Sequence, residues 1–247
     1  MNVGEWPARW ARRYPEEICL KYQDLELTKA EFNRRVNRLA NAFQEMGLRK
    51  GERVGALMGN SHIFLEILFA LSKLGGIMVP LNFRLATPEL EYILNDTEPV
   101  MLMYSPEFLQ TAEELRSKVP TIKQLVCEME GGASQDPTYE AWIADRSDQE
   151  PTVGAEVLLE DPHFIMYTSG TTGLPKGVMH SHKTAIWSVI TANATADVRY
   201  GDRYLICLPL FHVGALNPLL STFHKGGSAI IMAEFDPVKI WEIFGTE

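Results

Sequence analysis

The stretch at residues 167–178 reads Tyr167-Thr168-Ser169-Gly170-Thr171-Thr172-Gly173-Leu174-Pro175-Lys176-Gly177-Val178. It continues an apolar run that begins at Phe164 and is typical of a buried strand. Glycines let several backbone N–H groups converge on an anion, Ser and Thr hydroxyls donate further hydrogen bonds, and a lysine adds a mobile positive charge. The composition therefore predicts a phosphate-binding loop that follows a strand.

Two other interpretations of this stretch compete with phosphate binding. Runs of Gly, Ser and Thr most often form flexible surface turns. A P-loop nucleotide hydrolase requires a Gly, four residues and then Gly-Lys-Ser/Thr, and the stretch lacks that spacing. The lysine and the position directly after a strand favour phosphate binding over a surface turn.

Strand and helix patterns alternate on both sides of the loop. The clearest element is an amphipathic helix over 28–46, where Thr28 and Glu31 have capping-box spacing and Gly47 follows as a stop. Before the loop, the patterns predict strands at 53–58, 77–81, 100–104 and 122–127, and helices at 60–74, from an N-cap at Thr87 with Pro88 at N1, and from 105 onward. After it, they predict extended residues at 178–179, helices at 182–196, 213–225 and from 236, and strands at 204–208 and 228–232. This alternation predicts an α/β fold with mostly parallel sheets and helices on both faces.

One segment breaks the alternation. Residues 129–152 are polar and rich in turn residues, and only 139–143 has the pattern of an ordered element. We interpret 129–152 as a surface excursion within a single unit that spans residues 1–247.

The bulk composition excludes several classes of protein. With 46% hydrophobic and 22% charged residues, the chain is typical of a soluble globular protein. Its net charge of -9 and its lack of Lys/Arg clusters argue against a nucleic-acid partner. The longest apolar stretch, at 63–74, is too short and too polar to predict a transmembrane segment. Three scattered cysteines without metal-site spacing indicate reduced thiols and a cytoplasmic location.

Three histidines are candidates for chemistry. His212 follows a predicted strand end, where α/β proteins commonly bind ligands, although a packed structural role is the plainer interpretation. The spacing of His180 and His182 could suggest a metal site, but no third ligand is nearby in the sequence and we assign no metal to either. Trp187 and the apolar stripe at 63–69 are interpreted as core.

The stretch at 167–178, followed by Ser181-His182, resembles the signature of the adenylate-forming superfamily. That group includes acyl-CoA synthetases, firefly-type luciferases and the adenylation domains of peptide synthetases. Segments at 27–32, 50–54, 79–85 and 208–214 also resemble family segments, so the likeness spans nearly the whole chain. Within the superfamily, the chain most resembles acyl-CoA synthetases of medium- or long-chain acids, that is, fatty-acid–CoA ligases.

The resemblance implies a reaction in two steps. A carboxylate, here a fatty acid, attacks the α-phosphate of Mg·ATP, pyrophosphate leaves, and the acyl-adenylate then passes to a thiol, usually that of coenzyme A. Donors and a cation around the leaving phosphates stabilise the charge that develops there. By resemblance, the residues that grip the β- and γ-phosphates are Thr168, Ser169, Gly170, Thr171, Thr172, Gly173 and Lys176.

The resemblance also assigns residues to the acid. His212 would lie beside the carboxylate, which makes it a catalytic candidate together with Lys176. Gly214 and the helix after it would line the acyl pocket. Asn217 either faces this pocket or turns outward, and the sequence leaves both orientations open.

Several elements of the family have no match in these residues. They are an adenine-binding segment, a Glu for Mg²⁺, an Asp for the ribose hydroxyls, a hinge and a small C-terminal domain with a catalytic Lys. We therefore interpret the chain as an incomplete N-terminal portion of an AMP-binding domain, with the Mg²⁺ ligand outside it. We expect the chain alone not to form acyl-adenylate at a useful rate, and brisk exchange of labelled pyrophosphate into ATP by the chain would contradict this.

A truncated, non-catalytic module that binds nucleotide or a partner subunit is the alternative. A reading frame that continues past Glu247 into the unmatched elements would favour the enzyme, and a stop codon there would favour the module. The chain length of the acid, the thiol acceptor and the oligomeric state stay open, with a homodimer as one option.

Overall fold

The structure is a computed structural model that describes residues 2–129, 136–168 and 174–246. Within these ranges the strands, numbered β1 to β10, are Ile18–Tyr22, Leu25–Thr28, Arg53–Leu57, Ile77–Pro80, Met101–Tyr104, Gln124–Cys127, Pro162–Thr168, Lys176–Ser181, Arg203–Ile206 and Ser228–Ile231. The helices of the same ranges, numbered α1 to α9, are Glu5–Arg13, Lys29–Glu45, His62–Leu74, Thr87–Thr97, Leu109–Lys118, Tyr139–Ile143, His182–Thr195, Val213–Lys225 and Pro237–Thr246. A short 3-10 helix at Pro106–Phe108 leads into α5.

The described strands form two sheets. A six-stranded sheet has the order β6-β5-β3-β4-β7-β8, and a four-stranded sheet has the order β2-β1-β10-β9. The pairs β7–β8 and β1–β2 are antiparallel, and each lies at the edge of its sheet. The other pairs of the described strands are parallel. The prediction of an α/β fold with mostly parallel sheets is therefore confirmed.

Consecutive residues of the central strands alternate between two hydrophobic cores. In β5, Met101 and Met103 join a large core that also includes residues of the four-stranded sheet and of α2, α3 and α8. Leu102 and Tyr104 point the other way, into a smaller core with α4 and α5. Both faces of the six-stranded sheet are thus covered, which explains why its strands read as continuous apolar runs.

The N-terminus of α2 forms as its spacing predicts. Thr28 Oγ1 accepts from the Glu31 N–H at 3.2 Å, and the Thr28 N–H donates to Glu31 Oε2 at 2.9 Å. This pair of bonds is a capping box, and it satisfies two backbone donors that the first turn leaves without helical partners.

The N-terminus of α4 corrects one prediction. Thr87 is the first helical residue rather than the N-cap, and Ala86 takes the N-cap position, so Pro88 falls at the second helical position. Ala86 has no side-chain acceptor, but its N–H donates to Glu89 Oε2 at 2.9 Å. The carboxylate of Glu89 therefore supplies the half of a capping box that does not need a hydroxyl.

The prediction that Trp187 is core is wrong, because its side chain is 61% exposed. The buried residues of α7 are His182, Ala185, Val189 and Asn193, which are three or four positions apart and share one face. Trp187 lies on the opposite face of the same helix. The apolar stripe at 63–69 is buried throughout, as predicted.

A buried ionic cluster joins α2, α3 and α6. Arg35 Nε lies 2.7 Å from Glu66 Oε1, and Arg35 Nη2 lies 2.5 Å from Glu140 Oε1. The Tyr139 hydroxyl donates to Glu66 Oε2. Both Glu66 and Tyr139 are fully buried, and burial raises the pKa of the Glu66 carboxyl while Arg35 opposes that effect.

The segment after α6 is attached to α2 by side-chain amides. Asn37 Nδ2 donates to the Asp148 carbonyl at 2.9 Å, Asn41 Nδ2 to the Ser147 carbonyl at 2.7 Å, and Gln44 Nε2 to the Thr152 carbonyl at 2.8 Å. These three residues follow one another along α2 at helical spacing. We call residues 147–152 the docked segment; the sequence patterns do not anticipate its attachment.

Candidate active site

The predicted phosphate loop is carried by a β-hairpin at the edge of the six-stranded sheet. Strands β7 and β8 pair in antiparallel register, with Thr168 opposite Lys176 at the base of the loop. The predicted phosphate-binding residues Ser169, Gly170, Thr171, Thr172 and Gly173 lie outside the described residues. Thr168 and Lys176 are both exposed, so the hairpin presents one hydroxyl and one ammonium group at the point where the loop begins and ends.

Tyr167 contacts both α4 and β8 at the base of this hairpin. Its hydroxyl donates to Asp96 Oδ2 in α4, which ties β7 to the neighbouring helix. Its ring covers Gly177, where an added Cβ would lie 3.0 Å from the ring carbon Cζ. A side chain at position 177 would therefore push Tyr167 away, and the glycine keeps the two strands close beside the loop.

His212 is the N-cap of α8. Its Nδ1 accepts from the Gly214 N–H at 3.0 Å, and the side chain is exposed. Because Nδ1 acts as an acceptor, the neutral ring carries its proton on Nε2. The arrangement therefore offers an N–H donor on the outer side of the ring, suited to a carboxylate oxygen.

The other two residues predicted for the acid lie on the same helix. Gly214 is exposed in the first turn of α8. Asn217 is half-buried, and its Nδ2 donates to Ser188 Oγ in α7 at 3.1 Å. The amide of Asn217 thus bridges α8 and α7, and no contact among the described residues assigns it to an acyl pocket.

Asn60, in the connection between β3 and α3, binds the segment that leads to His212. Its Nδ2 donates to the Leu208 carbonyl at 2.9 Å and to the Met232 carbonyl at 3.2 Å. Its Oδ1 accepts from the Leu210 N–H at 2.8 Å. The sequence patterns place Asn60 only at the start of the helix predicted over 60–74, and these bonds span 148 to 172 residues of sequence.

A cleft of about 580 Å³ lies where the carboxyl ends of the two sheets meet. Its walls come from residues that follow strands of both sheets, among them Asn60, Phe83, Ser105, Glu128, Pro209 and Phe235. Ligands of α/β proteins commonly bind at this edge. Lys176 and His212 are not among the residues that line this cleft. Lys176 begins β8 of the six-stranded sheet and His212 follows β9 of the four-stranded sheet, and the contacts of the described residues do not bring these two side chains together.

The described residues contain no cluster of side chains that would by itself hold a metal ion. In residues 2–129, 136–168 and 174–246, no three His, Cys, Asp or Glu side chains come together as metal ligands would. His182 is buried and its Nδ1 accepts from the Val3 N–H at 3.3 Å, while the His180 ring stacks on Phe164 with the centroids 4.5 Å apart.

The sequence profile described as "AMP-binding enzyme" matches residues 7–246. The chain belongs to the AMP-binding enzyme family. This membership confirms the resemblance drawn from residues 167–178. None of the AMP-binding chain's helices in the described ranges combines the length and the apolar character that crossing a membrane requires.

Individual relatives agree with the family assignment. A feruloyl-CoA synthase from Amycolatopsis is 37% identical over 96% of this chain, which covers 45% of that protein. The long-chain-fatty-acid–CoA ligase FadD13 of Mycobacterium tuberculosis is 37% identical over 91% of this chain, which covers 43% of that protein. The N-terminal domain of FACL13 from Mycobacterium tuberculosis superimposes with a TM-score of 0.89 at 32% identity, over 98% of this chain and 60% of the solved one. This chain thus spans slightly less than half the length of the feruloyl-CoA synthase and of FadD13.

Proposed function

We propose that this chain is the N-terminal part of a longer AMP-forming acid–thiol ligase, which activates a carboxylic acid with ATP and transfers the acyl group to coenzyme A. The observation that carries the proposal is the β7–β8 hairpin, which presents Lys176 opposite Thr168 at the base of the signature loop of the AMP-binding family. The names of the relatives support the reaction class, since they include a feruloyl-CoA synthase and a long-chain-fatty-acid–CoA ligase.

In this proposal the hairpin acts on the departing pyrophosphate. When the carboxylate attacks the α-phosphate, the bond to the β-phosphate breaks and negative charge grows on the leaving group. Lys176, Thr168 and the loop residues between them donate to its oxygens, which lowers the barrier because the charge is stabilised as it develops. Tyr167 contributes by fixing the hairpin against α4 through Asp96.

His212 acts on the acid. Its outward Nε2–H donates to one carboxylate oxygen and orients the other towards the α-phosphate, while Nδ1 stays bonded to the Gly214 N–H. Gly214 leaves room beside the imidazole for the acyl group. We propose a fatty acid as the substrate; the feruloyl and indoleacetate ligases among the relatives make aromatic acids the natural comparison in a substrate screen. A cytoplasmic location and a homodimer stay predictions.

Replacing Lys176 tests the assignment of the hairpin. We expect Lys176→Ala to weaken the binding of ATP and of pyrophosphate by roughly tenfold to a hundredfold, since a charged hydrogen bond to phosphate is lost. The variant should unfold at the same urea concentration as the parent, because Lys176 is exposed. Calorimetric titration with each ligand, in this chain and in the longer enzyme, measures the change.

Lys183 provides the matched control for this substitution. It is exposed, lies seven residues further along and pairs with Glu160 at 3.3 Å. Lys183→Ala removes the same charge without touching the hairpin, so its ligand affinities should equal those of the parent. Equal affinities in the Lys176→Ala variant, or equal losses in both variants, would contradict the assignment.

A further inference from the structure

One buried amide joins the carboxyl edges of the two sheets. Asn60 follows β3 of the six-stranded sheet, whereas its partners Leu208 and Met232 follow β9 and β10 of the four-stranded sheet. The Asn60 side chain is 8% exposed, and it uses both amide protons and its oxygen in these bonds and the bond to the Leu210 N–H. A buried amide that makes three hydrogen bonds is costly to disturb and fixes its partners in one arrangement.

The bonds of Asn60 grip the segment that ends in His212. Leu208 and Leu210 stand four and two residues before the histidine, and the Leu210 side chain is buried. The turn then closes on itself, because the His212 N–H donates to the Pro209 carbonyl at 3.1 Å. The backbone of His212 is therefore placed by a short, closed turn whose other end is held by Asn60, and the bond from the Gly214 N–H to Nδ1 orients the ring.

We propose that Asn60 is a positioning residue for the carboxylate-activating step, acting through residues 208–212 to place His212. This inference rests on the proposed function, because it needs the carboxylate beside His212. Asn60 touches neither the hairpin nor Lys176 among the contacts of the described residues, so its influence falls on the acid and not on the phosphates. It follows that its loss changes turnover of the acid and leaves the affinity for ATP near its original value.

Two substitutions separate the parts of this role. Asn60→Asp keeps the shape and the acceptor for the Leu210 N–H, but it turns an oxygen towards the carbonyls of Leu208 and Met232. Asn60→Ala removes all three bonds. Asn193→Ala is the control, because Asn193 is 7% exposed and bonds His224 Nδ1 at 3.1 Å, away from residues 208–212. The control thus removes a buried amide, with its single bond to His224, without releasing the turn.

The first measurement is amide hydrogen exchange in this chain. We expect Asn60→Ala to speed the exchange of the Leu210 and Gly214 amides by roughly tenfold or more. The Leu210 N–H loses its acceptor on Asn60, and the released turn opens more often, which breaks the bond from the Gly214 N–H to His212. In Asn60→Asp the exchange rate of the Leu210 amide should stay closer to its value in the parent than the exchange rate of the Gly214 amide does. Amides of α5 and β6 should exchange as they do in the Asn193→Ala control. Uniform acceleration throughout the chain would reduce Asn60 to a general stabilising residue and overturn the inference.

The second measurement is pyrophosphate exchange by the longer enzyme. We expect both Asn60 variants to lower kcat by about tenfold to a hundredfold with saturating acid, as small displacements of a reacting group do. The KM for ATP should stay within about twofold of the parent, since the phosphate contacts are intact. A raised KM for ATP with unchanged kcat, or kinetics like those of Asn193→Ala, would overturn the inference. Failure of the proposed function would show separately, as unchanged triphosphate binding in Lys176→Ala.

Discussion

Replacing Arg35 with alanine is expected to lower the free energy of unfolding by about 3–5 kcal/mol, because it leaves a buried carboxylate without its cation. Glu66 is fully buried, and Arg35 Nε at 2.7 Å is its charged partner. Among the described residues, the Tyr139 hydroxyl is then the remaining partner of this carboxylate. The acid must then take up a proton or admit water into the core between α2, α3 and α6. Urea denaturation at pH 7 measures the loss.

Arg49 supplies the control for this prediction. It pairs with Glu52 at 2.8 Å, but its side chain is 80% exposed. Exposed pairs contribute up to roughly 1 kcal/mol, so Arg49→Ala should move the unfolding midpoint only slightly. If the Arg35 and Arg49 variants lose the same stability, removing Arg35 does not leave an uncompensated buried charge on Glu66, and the prediction fails.

Mild acid is expected to destabilise the fold through buried histidines. Burial lowers the pKa of His182 from 6.5 to about 4, and burial with the charge of Arg35 lowers the pKa of His62 to about 4. Burial also lowers the pKa of His163 well below its ordinary value. Between pH 6.5 and about pH 4, these histidines therefore bind protons in the unfolded chain but stay neutral in the folded chain. Stability is full above pH 6.5 and falls as the pH drops from 6.5 towards 4.

The size of this effect follows from the pKa values. Between pH 7 and pH 5, a histidine with a pKa of 6.5 unfolded and about 4 folded contributes a loss of roughly 2 kcal/mol. Carboxyls such as Glu128, whose pKa burial raises, act in the opposite direction as the pH falls. A variant therefore isolates the histidine better than the parent's own pH profile does.

His182→Asn is the informative variant, because its Oδ1 can still accept from the Val3 N–H where Nδ1 does now. Urea denaturation of parent and variant at pH 7 and pH 5 gives four free energies of unfolding. The parent should lose roughly 2 kcal/mol more than the variant on acidification. Equal losses would show that His182 takes up its proton in the folded state as readily as in the unfolded one.

The elements that the sequence predicts best are those with local signals. Thr28 and Glu31 stand three residues apart, so the start of α2 is visible in a short window. The face of α7 is different, because the exposed Trp187 and Ile190 are as apolar as the residues that turn inward. Packing against α8 selects the buried face, and that information lies outside the α7 sequence. Trp187 was therefore assigned to the wrong environment.

The candidate site divides in the same way. The phosphate loop is visible as a composition, and His212 is singled out by family resemblance together with its place after a strand. The role of Asn60 depends on partners up to 172 residues away, which no local pattern reports. The strand β1 is missed for the same reason, since it pairs with β10, with Leu20 opposite Ala229. The position of β1 in the sheet depends on pairing between two segments that are about 200 residues apart in sequence and meet only in the folded protein.

The docked segment at 147–152 has a consequence for how this protein tolerates sequence change. The amides of Asn41 and Gln44 donate to backbone carbonyls of the segment, and the amide of Asn37 donates both to the Asp148 carbonyl and to Glu150 Oε1 at 3.2 Å. Every residue type offers the same carbonyl, so most positions of the segment are open to neutral drift, with Glu150 excepted because it pairs with Lys73 at 2.6 Å. The length of the segment is more constrained than its residue types, because one inserted residue would shift the carbonyls out of register with the side-chain amides of α2.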